Sequence, residues 1–251
     1  MSKPILFAIL ALALAASACG ININLPEAKI PGPEVTDEIS VPAPDAKSAR
    51  LTLEFGAGEL VLAPGAEGDL VSGTATYNVP DFKPEVKTDG GEVVLKQGEY
   101  RVSGIPNFDG LKNEWNLQLG AQPMSLEIKA GAYKGEFDLG GLALTSLAVN
   151  DGAAEVTIDF SALNLEKMSL LTYKTGASNV TLKNLANANF VSMVFDSGAG
   201  NYKLDFNGEL QRDASVSIRS RMSNLTLIIP KKMTTTVKVN GGLSNVQFPS
   251  G

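Results

Sequence analysis

Residues 125–139 read SLEIKAGAYKGEFDL, and the same phrase returns five more times before the chain ends. The later copies are 146–160 (SLAVNDGAAEVTIDF), 171–182 (LTYKTGASNVTL), 192–206 (SMVFDSGAGNYKLDF), 215–229 (SVSIRSRMSNLTLII) and 236–248 (TVKVNGGLSNVQF). In each, alternating apolar residues run up to a corner and a second alternating run follows it. Gly131, Gly152, Gly176, Gly198 and Gly242 mark the corners, with Arg221 standing in the fifth copy, so the steps are 21, 24, 22, 23 and 21 residues. A period in this range signals stacked repeats, because one unit cannot bury its apolar face alone while neighbours can do so for each other.

A side-chain period of two places alternate residues on one face of a strand. The inward set before the corners is therefore Leu126 and Ile128, Leu147 and Val149, Leu171 and Tyr173, Met193 and Phe195, Val216 and Ile218, Val237 and Val239. After the corners it includes Phe137 and Leu139, Val156, Ile158 and Phe160, Val180 and Leu182, Tyr202, Leu204 and Phe206, Leu225, Leu227 and Ile229, Val246 and Phe248. The expected class is all-β, a single-stranded β-helix (β-solenoid) with coils of about 22 residues, in which equivalent side chains stack at the strand spacing of about 4.8 Å. Glycine suits the corners because it tolerates positive φ. Asn179, Asn201, Asn224 and Asn245 fall just past the corners and read as a stacked polar rail. An antiparallel β-sandwich, with each glycine in a hairpin, is the alternative. Apolar beats between copies, at Leu142, Leu144, Leu163, Leu165 and Leu185, favour a third side of a coil.

The folded domain is read as 51–251, with a less regular part, 51–113, before the regular repeats of 114–248. Leu51 to Ala63 (LTLEFGAGELVLA) is the same phrase again, and EVKTDGGEVVLK around Gly90 and Gly91 reads as a further approximate copy. Trp115, the sole tryptophan, reads as a plate closing the start of the ladder.

The totals exclude several kinds of chemistry. The chain has 251 residues, a formal charge of −6 and no histidine, so Ser-His, Cys-His and HExxH mechanisms have no base or ligand to work with. An acidic balance argues against nucleic acid as a partner. With one cysteine, Cys19, neither an intrachain disulfide nor a thiolate metal site can form. No cofactor or metal is implied. Asp138, Asp159 and Asp205 fall between inward residues, on the outer face, with Lys183 and Ile228 interrupting the column. They read as a solvated face rather than a calcium site.

Residues 1–18 have the form of a secretory signal: Lys3, an apolar run, then Ala16, Ser17 and Ala18 before Cys19. That ending resembles the bacterial lipobox, with Ala16 where leucine is usual, which implies a diacylated Cys19 and anchorage outside the cytoplasmic membrane, or in the outer membrane of a two-membrane cell. Residues 19–50, with Pro26, Pro31, Pro33, Pro42 and Pro44, read as a Pro-rich tether.

The GAG corners at a step of about 22, the entry NEWNLQL and the copy FNGELQRDASVSI resemble the bacterial toast-rack domain family. The resemblance implies an adhesin-like single-stranded β-helix related to the C-terminal domain of LiaF-type envelope stress proteins, with no catalytic residues to carry over. The expectation is a non-enzymatic, lipid-anchored surface module that binds envelope glycan or protein. A lyase-like carbohydrate-active β-helix and an envelope-stress sensor are the other readings. Arg212, Arg219 and Arg221, with Lys231 and Lys232, make the C-terminal copies locally basic. They are the candidate contacts to an anionic polymer or headgroup, or charges that protect the stack's edge.

Overall fold

The computed structural model describes residues 31–98 and 110–240. The signal-like segment, Cys19, residues 99–109, and Gly242, Asn245, Val246 and Phe248 lie outside the described residues. The strands are β1 (Val35–Pro42), β2 (Ala49–Pro64), β3 (Asp69–Tyr77), β4 (Pro84–Asp89), β5 (Glu92–Gln97), β6 (Asn113–Leu119) and β7 (Met124–Asp138). They continue as β8 (Leu144–Asp159), β9 (Met168–Thr175), β10 (Ser178–Lys183), β11 (Phe190–Ser197), β12 (Gly200–Asp205), β13 (Ser215–Ser220) and β14 (Ser223–Ile228). All join one mixed 14-stranded sheet whose path from β1 to β14 does not return on itself. Among the described residues no helix is long and apolar enough to cross a membrane.

Successive copies pair in parallel. β7 pairs β8, with Leu126 opposite Leu147 and Phe137 opposite Ile158. Beyond the corner of β8 the ladder runs to β10 and β12, with Val156, Val180 and Tyr202 in one column. Before it, the ladder runs to β9, β11 and β13, with Leu147, Leu171, Met193 and Val216 in another. These registers reproduce the sequence steps of 21, 24, 22 and 23 residues.

The alternation slips by one residue at each corner, so Leu126 and Ile128 before it and Tyr133 and Phe137 after it are all buried. The slip turns both halves of every copy toward the same interior, and one continuous apolar cluster runs from Ile39 to Leu204. Fully burying each such aliphatic or aromatic side chain contributes about 1.5–3 kcal/mol. The pairing lapses only at the glycine: Phe55 faces Ala130 and Ala57 faces Ala132, while Gly56 and Gly131 are skipped.

The N-terminal part departs from expectation in three ways. First, Val35–Pro42 is a strand paired antiparallel with β3, so folded structure begins inside the stretch read as tether. Alternating Ile39 and Val41 supply its buried face. Second, Gly90 and Gly91 do not form a stacking corner. They are the two-residue loop of a β4–β5 hairpin in which Asp89 faces Glu92, with Gly90 at φ +56°. Two glycines between alternating runs are also a hairpin signal, and here that reading wins: Val93 is buried whereas Val86 is exposed.

Third, a complete layer is hidden in the irregular segment. β5 pairs in parallel with the first half of β2, Arg50 opposite Glu92, and β6 pairs in parallel with its second half, Leu60 opposite Trp115. Residues 98–112 are inserted where other copies have a glycine. On its other edge β2 pairs with β7, Leu51 opposite Leu126. Antiparallel β1, β3 and β4 finish this end, consistent with the rule that repeat stacks need atypical terminal units.

Between copies, Leu142, Leu144 and Leu185 are buried as expected, but Leu165 is exposed. The buried residue of that connector is Asn164, which donates to the Leu144 and Glu166 carbonyls and accepts from the Leu144 N–H. The later copies are barer than predicted: Val216, Leu225, Leu227, Val237 and Val239 are all exposed.

Candidate functional site

Glycine is needed at the corners for a reason other than the expected one. Gly131, Gly152, Gly176 and Gly198 are absent from the positive-φ set. They lie one above another: a Cβ on Gly131 would stand 2.4 Å from the Gly56 carbonyl oxygen, one on Gly176 2.5 Å from that of Gly152, and one on Gly198 2.2 Å from that of Gly176. Close backbone approach, not left-handed geometry, excludes a side chain. At the fifth corner Arg221 takes the place, and the backbone follows another path, with Met222 at φ +48° and its side chain exposed.

In-register parallel pairing turns single outward positions into columns. Glu54, Lys129, Asn150, Lys174, Asp196 and Arg219 form one, just before the corners. Charges of opposite sign meet along it: Lys129 Nζ lies 3.3 Å from Glu54 Oε1, and Arg221, beside it, lies 3.1 Å from Asp196. Just past the corners, Asn201 Nδ2 donates to Asn179 Oδ1 at 2.9 Å and Asn224 Nδ2 to Asn201 Oδ1 at 3.3 Å, which makes the asparagine rail. Cross-strand pairs of this kind each contribute about 0.2–1 kcal/mol.

Two hollows open along the corners. The larger, about 870 Å³, is lined by Phe55, Phe82, Leu111, Ala57 and Ala132, with the Lys129–Glu54 pair among its residues. Its polar element is an amide pair. Gln97 Oε1 accepts from Gly56 N–H and Asn113 Nδ2, while buried Asn113 Oδ1 has no partner among the described residues. An apolar lining with a few fixed polar groups is the usual make-up of a small-ligand site. The second hollow, about 420 Å³, is lined by Asn150, Asp151, Lys174, Thr175, Asp196 and Arg221.

Beneath it lies a buried polar knot. Asp151 Oδ2 accepts from Tyr173 Oη at 2.6 Å and from Tyr133 Oη at 3.4 Å. Burial pushes the Asp151 carboxyl above its ordinary value, against the opposing pull of these hydroxyls. Burial likewise raises both tyrosines, with the Asp151 charge adding to the effect.

Of the three arginines singled out from the sequence, Arg219 and Arg221 come together at Asp196 and Arg212 is held apart from them. Arg212 donates from Nε to Asn189 Oδ1 at 2.6 Å, on a connector, Arg221 pairs with Asp196, and Arg219 lies opposite Asp196 in the β11–β13 ladder. The aspartates between inward residues are engaged at turns. Asp138 Oδ1 accepts from Ser161 Oγ and Gly140 N–H, Asp159 Oδ1 from Asn184 Nδ2, and Asp205 Oδ1 from Asn207 N–H. Sequence reasoning missed the Gln97–Asn113 pair, which an insertion separates, and the connector asparagines Asn164, Asn187 and Asn189. Their recurrence in LNL (163–165) and NLANAN (184–189) was the available signal.

Fold and surface together define a β-repeat protein whose parallel layers present columns of side chains, finished at one end by antiparallel strands. The chain belongs to the family described as the N-terminal domain of toast_rack, DUF2154, whose model matches residues 30–182. No curated protein matches it. Among solved structures it is similar to a "putative cell adhesion protein" from Clostridium sporogenes, at 20% identity and TM-score 0.60, over 78% of this chain and 98% of that one. A "putative adhesin" from Bacteroides fragilis shares 11% identity over 78% and 96% of the two chains, at TM-score 0.29.

Proposed function

We propose that this chain is a non-enzymatic, adhesin-like binding module, built as a β-solenoid and held outside the cytoplasmic membrane by a lipidated Cys19. The observation that carries this reading is the in-register parallel pairing of successive copies. It repeats each outward residue at the strand spacing of about 4.8 Å, a surface suited to an extended partner such as an envelope glycan or a strand of another protein. Family membership and the adhesion named for the Clostridium sporogenes structure support the same reading. On this view the corner columns and the larger hollow make the contacts, with Arg219 and Arg221 facing anionic polymer.

The test is sedimentation of the full chain carrying Cys19→Ser with isolated cell envelope. Saturable binding, weakened at least tenfold by Arg219→Glu with Arg221→Glu, is expected. No saturable binding would overturn the adhesive role, and an unchanged affinity of the double variant would remove the arginines from it. Anchoring is read separately, by incorporation of labelled palmitate into the wild type and its loss in Cys19→Ser.

A further inference from the structure

The two ends of the stack differ. At the start, antiparallel strands cover the first layers, whereas at the other end β13 and β14 each have one strand neighbour among the described residues, β11 and β12. Their inward residues are correspondingly bare. Val216 is 39% exposed and Leu225 and Leu227 37%, where the residues opposite them, Met193, Tyr202 and Leu204, are at most 2% exposed. A parallel edge that offers both unpaired backbone groups and an apolar interior is a template for a further strand.

The chain carries a matching segment beyond this edge. Residues 229–240 contain no strand, and Val237 and Val239 are 48% and 53% exposed. They open the last repeat, which continues outside the described residues to Phe248. A constant offset of 21 residues sets Val237 against Val216, Val239 against Ile218, Asn245 against Asn224, Val246 against Leu225 and Phe248 against Leu227. The offset between β7 and β8 is the same 21. Seven residues, 229–235, would link this segment to β14, and the existing links, 139–143 to 206–214, run from five to nine.

We propose that residues 236–248 dock in parallel on the β13–β14 edge of their own chain as the closing layer of the stack, extending the asparagine rail to Asn245. The docking rests on the ladders and the repeat, so it stands or falls apart from the adhesive role. The competing occupant is the same segment of a second copy.

The test is oxidation of the full chain carrying Cys19→Ser with Asn224→Cys and Asn245→Cys. Opposite positions on adjacent parallel strands are about 4.8 Å apart, inside the Cα range a disulfide tolerates, while a position two residues along is beyond about 7 Å. An intrachain bond between positions 224 and 245 on monomeric protein is expected, with at least fivefold less bonding when Gln247→Cys replaces Asn245→Cys. Disulfide-linked dimers would overturn the proposal in favour of the second copy. Equal bonding of the two pairs, or none, would also overturn it. Hydrogen exchange guards against misfolding of the cysteine variants. In otherwise unaltered chain, Val237→Asp with Val239→Asp should speed exchange of the β13 and β14 amides at least tenfold, and Lys238→Asp should not. Unchanged exchange in the valine variant would again count against docking.

Discussion

A methyl group at position 198 would stand 2.2 Å from the Gly176 carbonyl oxygen, and that oxygen belongs to backbone that cannot step aside. Gly198→Ala should therefore cost about 1–3 kcal/mol, as overpacking of a well-filled interior does. Gly91→Ala is the contrast. Its Cβ would meet Ala46 Cβ at 3.4 Å, an ordinary contact, and the change should stay within about 1 kcal/mol of neutral. Urea denaturation of both variants checks the pair. The position of these glycines was legible in the sequence, but their cause was not. Spacing reveals where a side chain is forbidden, whereas close approach between layers exists only once the layers have paired. Asp151 shows the same limit. It reads as one more polar residue beside a corner, and only the fold places it under Tyr173. Its carboxyl is pushed up by burial, so the sign of its effect on stability is determined. Well below about pH 4, the unfolded and folded carboxyls are both protonated and burial adds little cost. As pH rises, the unfolded chain releases the proton first, and the fold loses stability. Asp151→Asn removes this titration, so its melting temperature relative to the wild type should increase from about pH 4 to about pH 7. A constant difference would show that Asp151 does not titrate differently in the fold.

Among elements, the regular strands were legible because period-two alternation survives whatever the neighbours do. Pairing partners were harder to read wherever the chain leaves the repeat. β5 and β6 make one layer from two pieces, and nothing local in VVLKQ or WNLQL announces that they share a partner in β2. Gly90 and Gly91 satisfied the signature of a corner and of a hairpin alike, and tertiary context chose the hairpin. β1 was hidden by flanking prolines, although Ile39 and Val41 alternate. Its attachment has a spectroscopic handle: Tyr77 on β3 donates to Asp37 on β1 at 2.8 Å, and burial first, then that carboxylate, push its hydroxyl up to about 12. The unfolded hydroxyl ionises near its ordinary value of about 10, so this tie contributes stability below that pH and loses it as pH climbs toward the raised value. Absorbance titration of Tyr77→Phe should show one late-ionising tyrosine fewer than the wild type, with Tyr133 and Tyr173 still late. An unchanged number of late-ionising tyrosines would detach the signal from the β1–β3 pair.

For the whole molecule, the central claim is that successive copies lie layer upon layer in one direction. Val61, Glu136, Thr157, Thr181, Lys203 and Thr226 form a single outward column in the pairing registers. Spin labels placed at Thr226 and, in turn, at Thr157, Glu136 and Val61 measure that column directly by pulsed dipolar spectroscopy. A parallel stack gives separations that grow by about 4.8 Å per copy, to backbone distances of about 14, 19 and 24 Å. Distances that fail to grow in that order, as they would if copies folded back on one another in a sandwich, would contradict it.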